Sequence, residues 1–239
     1  MKIIADTHCH TVASTHAYST ALELINSAKD QGLFAIAITD HGKAMPGSPG
    51  KWYFKNLHCI PDVVNGVRIL KGIEANVIDS DGKLDNDEDE IQELSWMIAS
   101  MHDYSFKGIR SIDSCTNAWL NVCKEPRVTV IGHCEIESFK FDYNKVIPEF
   151  GHYGKLVEIN NNSFKIRRNS INNCIEIAKI CKNYSVPIII NSDAHFCLQV
   201  GKFNAAIEML ESINFPEELI VNSSVERFKS YLKERGIKC

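Results

Sequence analysis

Three side chains able to bind a metal, Asp6, His8 and His10, alternate with Thr7 and Cys9 at the end of an apolar run over residues 2–5. Side chains along a strand alternate faces, so residues two apart share one side. This spacing predicts Asp6, His8 and His10 on one face of a strand tip. The same spacing returns near the other end as Asp193 and His195. Between them lie His16 in a polar loop over 11–19, His41 in Thr39-Asp40-His41-Gly42, and then Glu74, His102 and His133. Imidazole and carboxylate donors without thiolate suit Zn, Mn or Fe in a catalytic centre rather than a structural cysteine-rich zinc knot. Nine such donors exceed what one ion takes, which implies two or three ions. A cluster of that kind lowers the pKa of bound water from about 15.7 toward about 7.

Each candidate sits just after, or in the loop following, a segment that reads as a strand. Apolar runs at 2–5, 34–38, 68–73, 96–99, 128–131, 156–159 and 187–190 are separated by helical patterns. Thr20 and Glu23 form a T-x-x-E capping box for the first helix, Leu22, Ile25 and Ala28 give it an apolar stripe, and Gly32 ends it. A short aromatic helix holds Trp52, Tyr53 and Phe54. Further helices are predicted from Glu88 and over 113–123, 143–152, 171–183, 204–212 and 225–235, with a hairpin turn at Asp79-Ser80-Asp81-Gly82.

Strand-helix alternation with nearly continuous apolar strands indicates a parallel α/β sheet. Seven strands without a G-x-G-x-x-G fingerprint favour a closed or nearly closed barrel over a dinucleotide-binding sheet. Residues 1–239 then form a single domain, and in a βα barrel the C-terminal strand ends converge on one face. Seven of the nine histidines occupy those ends or the adjoining loop. His58 and His152 fall in helical stretches and read as surface residues. There is no P-loop motif and no serine nucleophile elbow.

The formal charge of −4 excludes the basic footprint of a nucleic-acid binder, and the acidic run 79–90 reads as a solvated loop and helix start. No apolar run approaches the roughly 18 residues that span a membrane, and the N-terminus does not read as a signal peptide. Nine cysteines, an odd number without C-x-x-C pairs, are expected as thiols in the cytoplasm. Alternation turns Cys9 and Cys134 away from the site, as small buried apolar groups.

The D-x-H-x-H opening, T-D-H-G at 39–42, a Glu after the third strand, single histidines after the next two, and Ser192-Asp193-Ala194-His195 together resemble the PHP superfamily, named for polymerase and histidinol phosphatase. The stretch 11–20, Gly72-Ile73-Glu74-Ala75-Asn76 and Glu158-Ile159-Asn160-Asn161 resemble its YcdX-type phosphatase branch, and the likeness covers almost the whole chain. It implies a distorted, TIM-barrel-like (β/α)7 fold with a trinuclear metal site, usually zinc. One ion would take His8, His10, Glu74 and Asp193. A second would take His16, His41 and His195, and a third His102 and His133, with Glu74 bridging. The implied activity is hydrolysis of a small phosphate monoester by a metal-bridging hydroxide, in a homo-oligomer, a trimer in that branch. Cys134 stands where the branch often has Pro, and Asp103-Tyr104-Ser105 follows His102. Both departures bear on the substrate pocket rather than on metal binding.

Arg167 and Arg168 are candidates for binding the remaining phosphate oxygens, with Lys51 and Trp52 as weaker pocket-wall candidates. Asp6 and Asp40 are candidates to orient the neighbouring histidines, and Asn160 to Asn162 to line the pocket mouth or form a turn. An amidohydrolase-type hydrolase would use a carbamylated lysine bridge, but Glu74 holds that position and Lys71 lies upstream. A non-catalytic metal-binding module would be expected to have lost donors, and none is missing.

Overall fold

The structure, a computed structural model, describes residues 1–167 and 169–238, with Glu88 and Glu90 described by their backbone alone. Seven strands run parallel in the order β1 (Ala5–Asp6), β2 (Ala35–Ile38), β4 (Val67–Asn76), β5 (Trp96–Ser100), β6 (Val130–Ile131), β7 (Leu156–Asn160) and β8 (Ile188–Asn191). The short β3 (Val63–Val64) pairs antiparallel with the start of β4. The strand pattern alone does not show this hairpin. Its signal is Asn65-Gly66, both left-handed (φ 53° and 85°), the residue pair that a two-residue hairpin turn favours.

The helices between the strands are α1 (Ala21–Asp30), α2 (Lys51–Asn56), α3 (Glu88–Ile91), α4 (Ile112–Val122), α5 (Tyr143–His152), α6 (Ser163–Ile166) and α7 (Ser170–Tyr184), and α8 (Asn204–Ser212) and α9 (Val225–Glu234) follow β8. The Thr20–Glu23 capping box forms as expected. The buried stripe of α1 is Leu24, Ile25 and Ala28, whereas Leu22 is exposed. The helix therefore lies rotated from the face that Leu22 suggested.

Alternation along the strands sorts the core into two layers. Ala5, Ala35, Ala37, Leu70, Trp96, Ile98, Val130, Leu156 and Ile189 point inward and meet one another. Phe228 and Leu232 of α9 join them, so the last helix plugs the N-terminal end of the barrel. Burying each of these two side chains contributes about 1.5–3 kcal/mol. The alternate residues, among them Ile36, Ile38, Ile69, Ile73, Ile188 and Ile190, face outward against α1, α4, α5, α7 and α8.

The β1–β8 seam makes the barrel distorted rather than regular. Asn222 sits in it, donating to Ala5 O (2.8 Å) and Ile190 O (2.7 Å), while Ile4 N donates to Asn222 O (2.9 Å). Farther up, Cys9 bridges Ala194 and closes the ring at the C-terminal end. Among the described residues no helix is long and apolar enough to cross a membrane.

Candidate metal centre

The first strand does not carry its polar residues as simple alternation predicts. Ala5 faces inward, so unbroken alternation would turn His8 and His10 outward. The regular ladder stops at Asp6, and Thr7 gives both its N–H and its hydroxyl to Asn191 Oδ1, each at 2.8 Å. A side chain thus replaces the next ladder partner, and the phase of the chain reverses there. His8 and His10 turn into the barrel mouth, and Cys9 packs in the outer core. Asp6 falls on the other side. It accepts from Ser192 N (3.0 Å) and Gly201 N (2.9 Å), so it braces the segment carrying Asp193 and His195 and bonds no site histidine. Cys134 also packs in the outer core, as expected.

The same device recurs after β6. Val130 and Gly132 face inward, and a Cβ on Gly132 would stand 2.2 Å from Ser100 Oγ. The next residue, His133, would point out. It is left-handed instead (φ 26°), which swings the imidazole back to within 2.9 Å of Glu74 Oε1. Asp193 is left-handed too (φ 54°). Non-glycine residues held in that region cluster at functional sites.

The other eight predicted donors meet around Glu74, which is fully buried on β4. Two donors each about 2.0–2.1 Å from a tetrahedral ion stand about 3.3 Å apart. His8 Nε2 lies 3.3 Å from Glu74 Oε1 and 3.6 Å from Asp193 Oδ1. His10 Nε2 lies 3.4 Å from Asp193 Oδ1 and 3.5 Å from Glu74 Oε2. His102 Nε2 is 3.3 Å from Glu74 Oε1, and His16 Nε2 is 3.3 Å from His41 Nε2. His41 Nδ1 approaches Glu74 Oε2 more closely, at 2.6 Å, and the His195 ring stacks on that of His10. The tightest triads are His8, His10 and Asp193; His10, His41 and His195; and His41, Glu74 and His102. His10 and His41 each belong to two of them, so spacing alone does not divide the donors among ions.

Hydrogen bonds behind the rings orient them. Glu158 Oε1 accepts from His8 Nδ1 (2.8 Å). Ser14 gives its hydroxyl proton to Asp40 Oδ1 (2.7 Å), so toward His10 Nδ1, 3.2 Å away, it acts as acceptor. His195 Nδ1 donates to Asp193 O (3.0 Å). In its neutral form each of these rings therefore presents a bare Nε2. His8 Nε2, His10 Nε2 and Glu74 Oε2 are buried with no hydrogen-bond partner. With the rings neutral, these are acceptor atoms turned toward one another, an arrangement that fits a cation in the gap.

The protonation states of His10, His16, His133 and Glu74 agree. Burial, and then His41 and His195, push the pKa of His10 well below its ordinary value. Burial with His195 and His41 lowers His16 to about 4, and burial with Arg167 lowers His133 to about 4. Neutral imidazole is the form that binds a metal. Burial opposes charge on Glu74, but His102, His8 and His41 more than offset it and hold the carboxyl well below the usual range. Burial likewise opposes charge on His8, but Glu158, Glu74 and Asp193 keep its pKa well above the ordinary value, so a cation there has a proton to displace.

Residues 6–162 match the model of the PHP domain. The chain belongs to the PHP family. A protein of Caldanaerobacter subterraneus subsp. tengcongensis named a probable phosphatase is 44% identical to it over 98% of this chain and 93% of that one. A probable phosphatase of Acetivibrio thermocellus is 43% identical over 98% and 97% of the two chains. The fold resembles that of a histidinol phosphate phosphatase from Lactococcus lactis, solved with zinc, L-histidinol and phosphate. That likeness has a TM-score of 0.63 at 15% identity, covering 90% of this chain and 95% of the other.

Above the cluster, the PHP chain holds a cavity of about 260 Å³ whose wall beyond the donors is Met45, Asn162, Ile166 and Arg167. Arg167 reaches it with Nη2 3.4 Å from Asp193 Oδ2, its other amino group on Ser163 Oγ. Arg168 lies outside the described residues. Lys51 and Trp52 are not in the wall. Lys51 pairs with Asp89, Trp52 is 84% exposed, and Met45 takes the place expected of them. Of the three asparagines Asn162 alone lines the cavity. Asn160 donates to Glu158 and Asp193, and Asn161 accepts from Ala206 N at the start of α8. Asp40 does orient a histidine, but through Ser14 rather than directly. His58 and His152 are exposed, as expected.

Two acids went beyond the strand-end pattern. Glu158 is a lone carboxylate inside the apolar strand β7, and that inward phase is the signal that marks it. Glu135, two residues after His133, is buried with both oxygens unpartnered and its nearest cation, Arg167, 4.0 Å away. Burial, against the pull of Arg167, pushes its pKa up to about 7.

Proposed function

We propose that this PHP chain is a metal-dependent phosphatase that hydrolyses small phosphate monoesters in the cytoplasm. The observation that carries the reading is the convergence of seven imidazoles, Glu74 and Asp193 at ligand spacing, with bare Nε2 atoms facing the gap. His8, His10, Glu74 and Asp193 would hold one ion, His16, His41 and His195 a second, and His102 and His133 a third with Glu74 shared. Zinc is the first choice, with Mn or Fe as alternatives for the same donors. Bound there, the ions would supply an activated water and positive charge for the phosphoryl oxygens. The names of the relatives, and the zinc and phosphate in the Lactococcus lactis structure, support this reading.

The chain's own part is to place and to neutralise. Arg167 lines the cavity beside Asp193, where its remaining N–H groups would take a phosphate oxygen that the ions leave free. Met45 and Ile166 give the alcohol portion of the ester an apolar wall. The amidohydrolase alternative lacks its lysine, because Lys71 Nζ is taken by Asp62 Oδ1 at 2.7 Å.

The deciding experiment assays purified protein against phosphate monoesters, amides and lactones, with metal analysis alongside. Turnover of phosphate esters that stops on chelation and returns with Zn or Mn is expected. Chelator-insensitive turnover, or turnover of amides and lactones alone, contradicts the proposal. Arg167→Ala should raise KM about 10- to 100-fold, the worth of one or two charge-assisted hydrogen bonds, with bound metal unchanged. Metal loss in that variant would assign Arg167 a structural role instead.

A further inference from the structure

We infer that Asp85, in the excursion between β4 and β5, is a positioning residue that sets the tautomer of His102 and ties the His41 loop to it. Its bearing on metal binding rests on the proposed function. The tautomer does not.

Asp85 is buried and 11 residues beyond Glu74 in the chain. Its carboxylate accepts three hydrogen bonds, from Asn76 N to Oδ1 (2.7 Å), from Asn76 Nδ2 to Oδ2 (2.6 Å) and from Ala44 N to Oδ2 (2.7 Å). It also fills the space beside Gly42. A Cβ there would stand 2.5 Å from Asp85 Oδ1, so the residue after His41 must be glycine to admit the carboxylate. One side chain thereby joins the end of β4 to the loop that leaves His41.

The consequence reaches His102 by elimination. Asn76 Nδ2 is flanked by Asp85 Oδ2 and, at 3.3 Å, by Gly42 O, and both are acceptors only. The NH2 end of the amide must therefore face them, and its oxygen must face His102. Asn76 Oδ1 lies 2.8 Å from His102 Nδ1 and can only accept, so that nitrogen carries the proton. In the neutral ring His102 Nε2 is then an unprotonated acceptor, 3.3 Å from Glu74 Oε1. Two acceptors so placed repel each other unless a cation lies between them. His41, Glu74 and His102 form one of the three tight donor triads, and Asp85 braces the loops of both its histidines from outside.

The test reads His102 in metal-free protein by long-range proton–nitrogen spectra of 15N-histidine-labelled samples, then zinc affinity by titration. Wild type should show the Nδ1–H form. Asp85→Asn, close in shape but unable to accept with both atoms, should leave His102 a mixture of tautomers and weaken one zinc site about 10- to 100-fold. Asn76→Ala removes the acceptor yet keeps Asp85 on two backbone N–H groups. It should lose the Nδ1–H preference in the same way, and retention of that preference overturns the relay through Asn76 even if Asp85→Asn fails to fold. Retention of the Nδ1–H form and of zinc affinity in Asn76→Ala, or in a folded Asp85→Asn, overturns the inference. Wild-type protein that binds no zinc would sink the metal reading and leave the tautomer result standing.

Discussion

Replacing both His8 and His10 with alanine is expected to remove one ion from the centre and to reduce turnover of a phosphate ester by about 10³-fold or more, the several kcal/mol that metal charge stabilisation supplies. Both rings are fully buried, and each presents Nε2 to Glu74 and Asp193 at 3.3–3.6 Å. No other described side chain stands in their place. The double variant also leaves the Glu158 carboxylate without its imidazole partner, so some loss of stability will accompany the loss of metal. Metal stoichiometry by elemental analysis, measured beside a melting curve, separates the two effects. Full stoichiometry with full rate in the folded variant would end the metal model.

The second large effect is expected at Glu158, which touches no predicted substrate space. Its carboxylate accepts four hydrogen bonds, from His8 Nδ1, Asn191 Nδ2, His133 N and Asn160 Nδ2. Glu158→Gln turns a donor toward two of those donors. Metal affinity should fall about 10- to 100-fold, as is usual when the partner behind a ligating histidine is lost. Stability should fall by about 1–3 kcal/mol for the buried groups left unpaired. Burial works against charge on this carboxyl, but His8 and His133 more than offset it, and its pKa lies below the ordinary value. A carboxyl lowered on folding stabilises above its unfolded pKa, about 4.3, and that contribution is lost as pH falls through the folded value. Metal-free wild type should therefore lose stability faster below about pH 4 than Glu158→Gln does. Zinc titration and acid melts check both expectations, and a variant that matches wild type in each would show Glu158 to be incidental.

The residues behind these two expectations differ in how far the chain announces them. The nine donors were legible because each lies within a residue or two of an apolar strand end, or in the adjoining loop, and a βα barrel brings those ends together whatever the details. Helices Tyr143–His152 and Asn204–Ser212 were legible to the residue, since apolar periodicity is written in adjacent positions, and Asp142 caps the first of them. The α1 capping box belongs with them.

What local pattern could not supply is the phase of side chains where regular pairing stops. Alternation set Asp6 beside His8 and His10, but Thr7 bonds Asn191, 184 residues away, and that contact reverses the phase. His133 turns inward through a left-handed backbone angle that no neighbouring residue predicts. Glu158 meets His8 across 150 residues, and Asp85 reaches the His41 loop across 41. Residue type and spacing thus name the donors and the chemistry they can do. Which nitrogen each imidazole offers depends on hydrogen bonds between distant segments, and these exist once the ring of strands has closed.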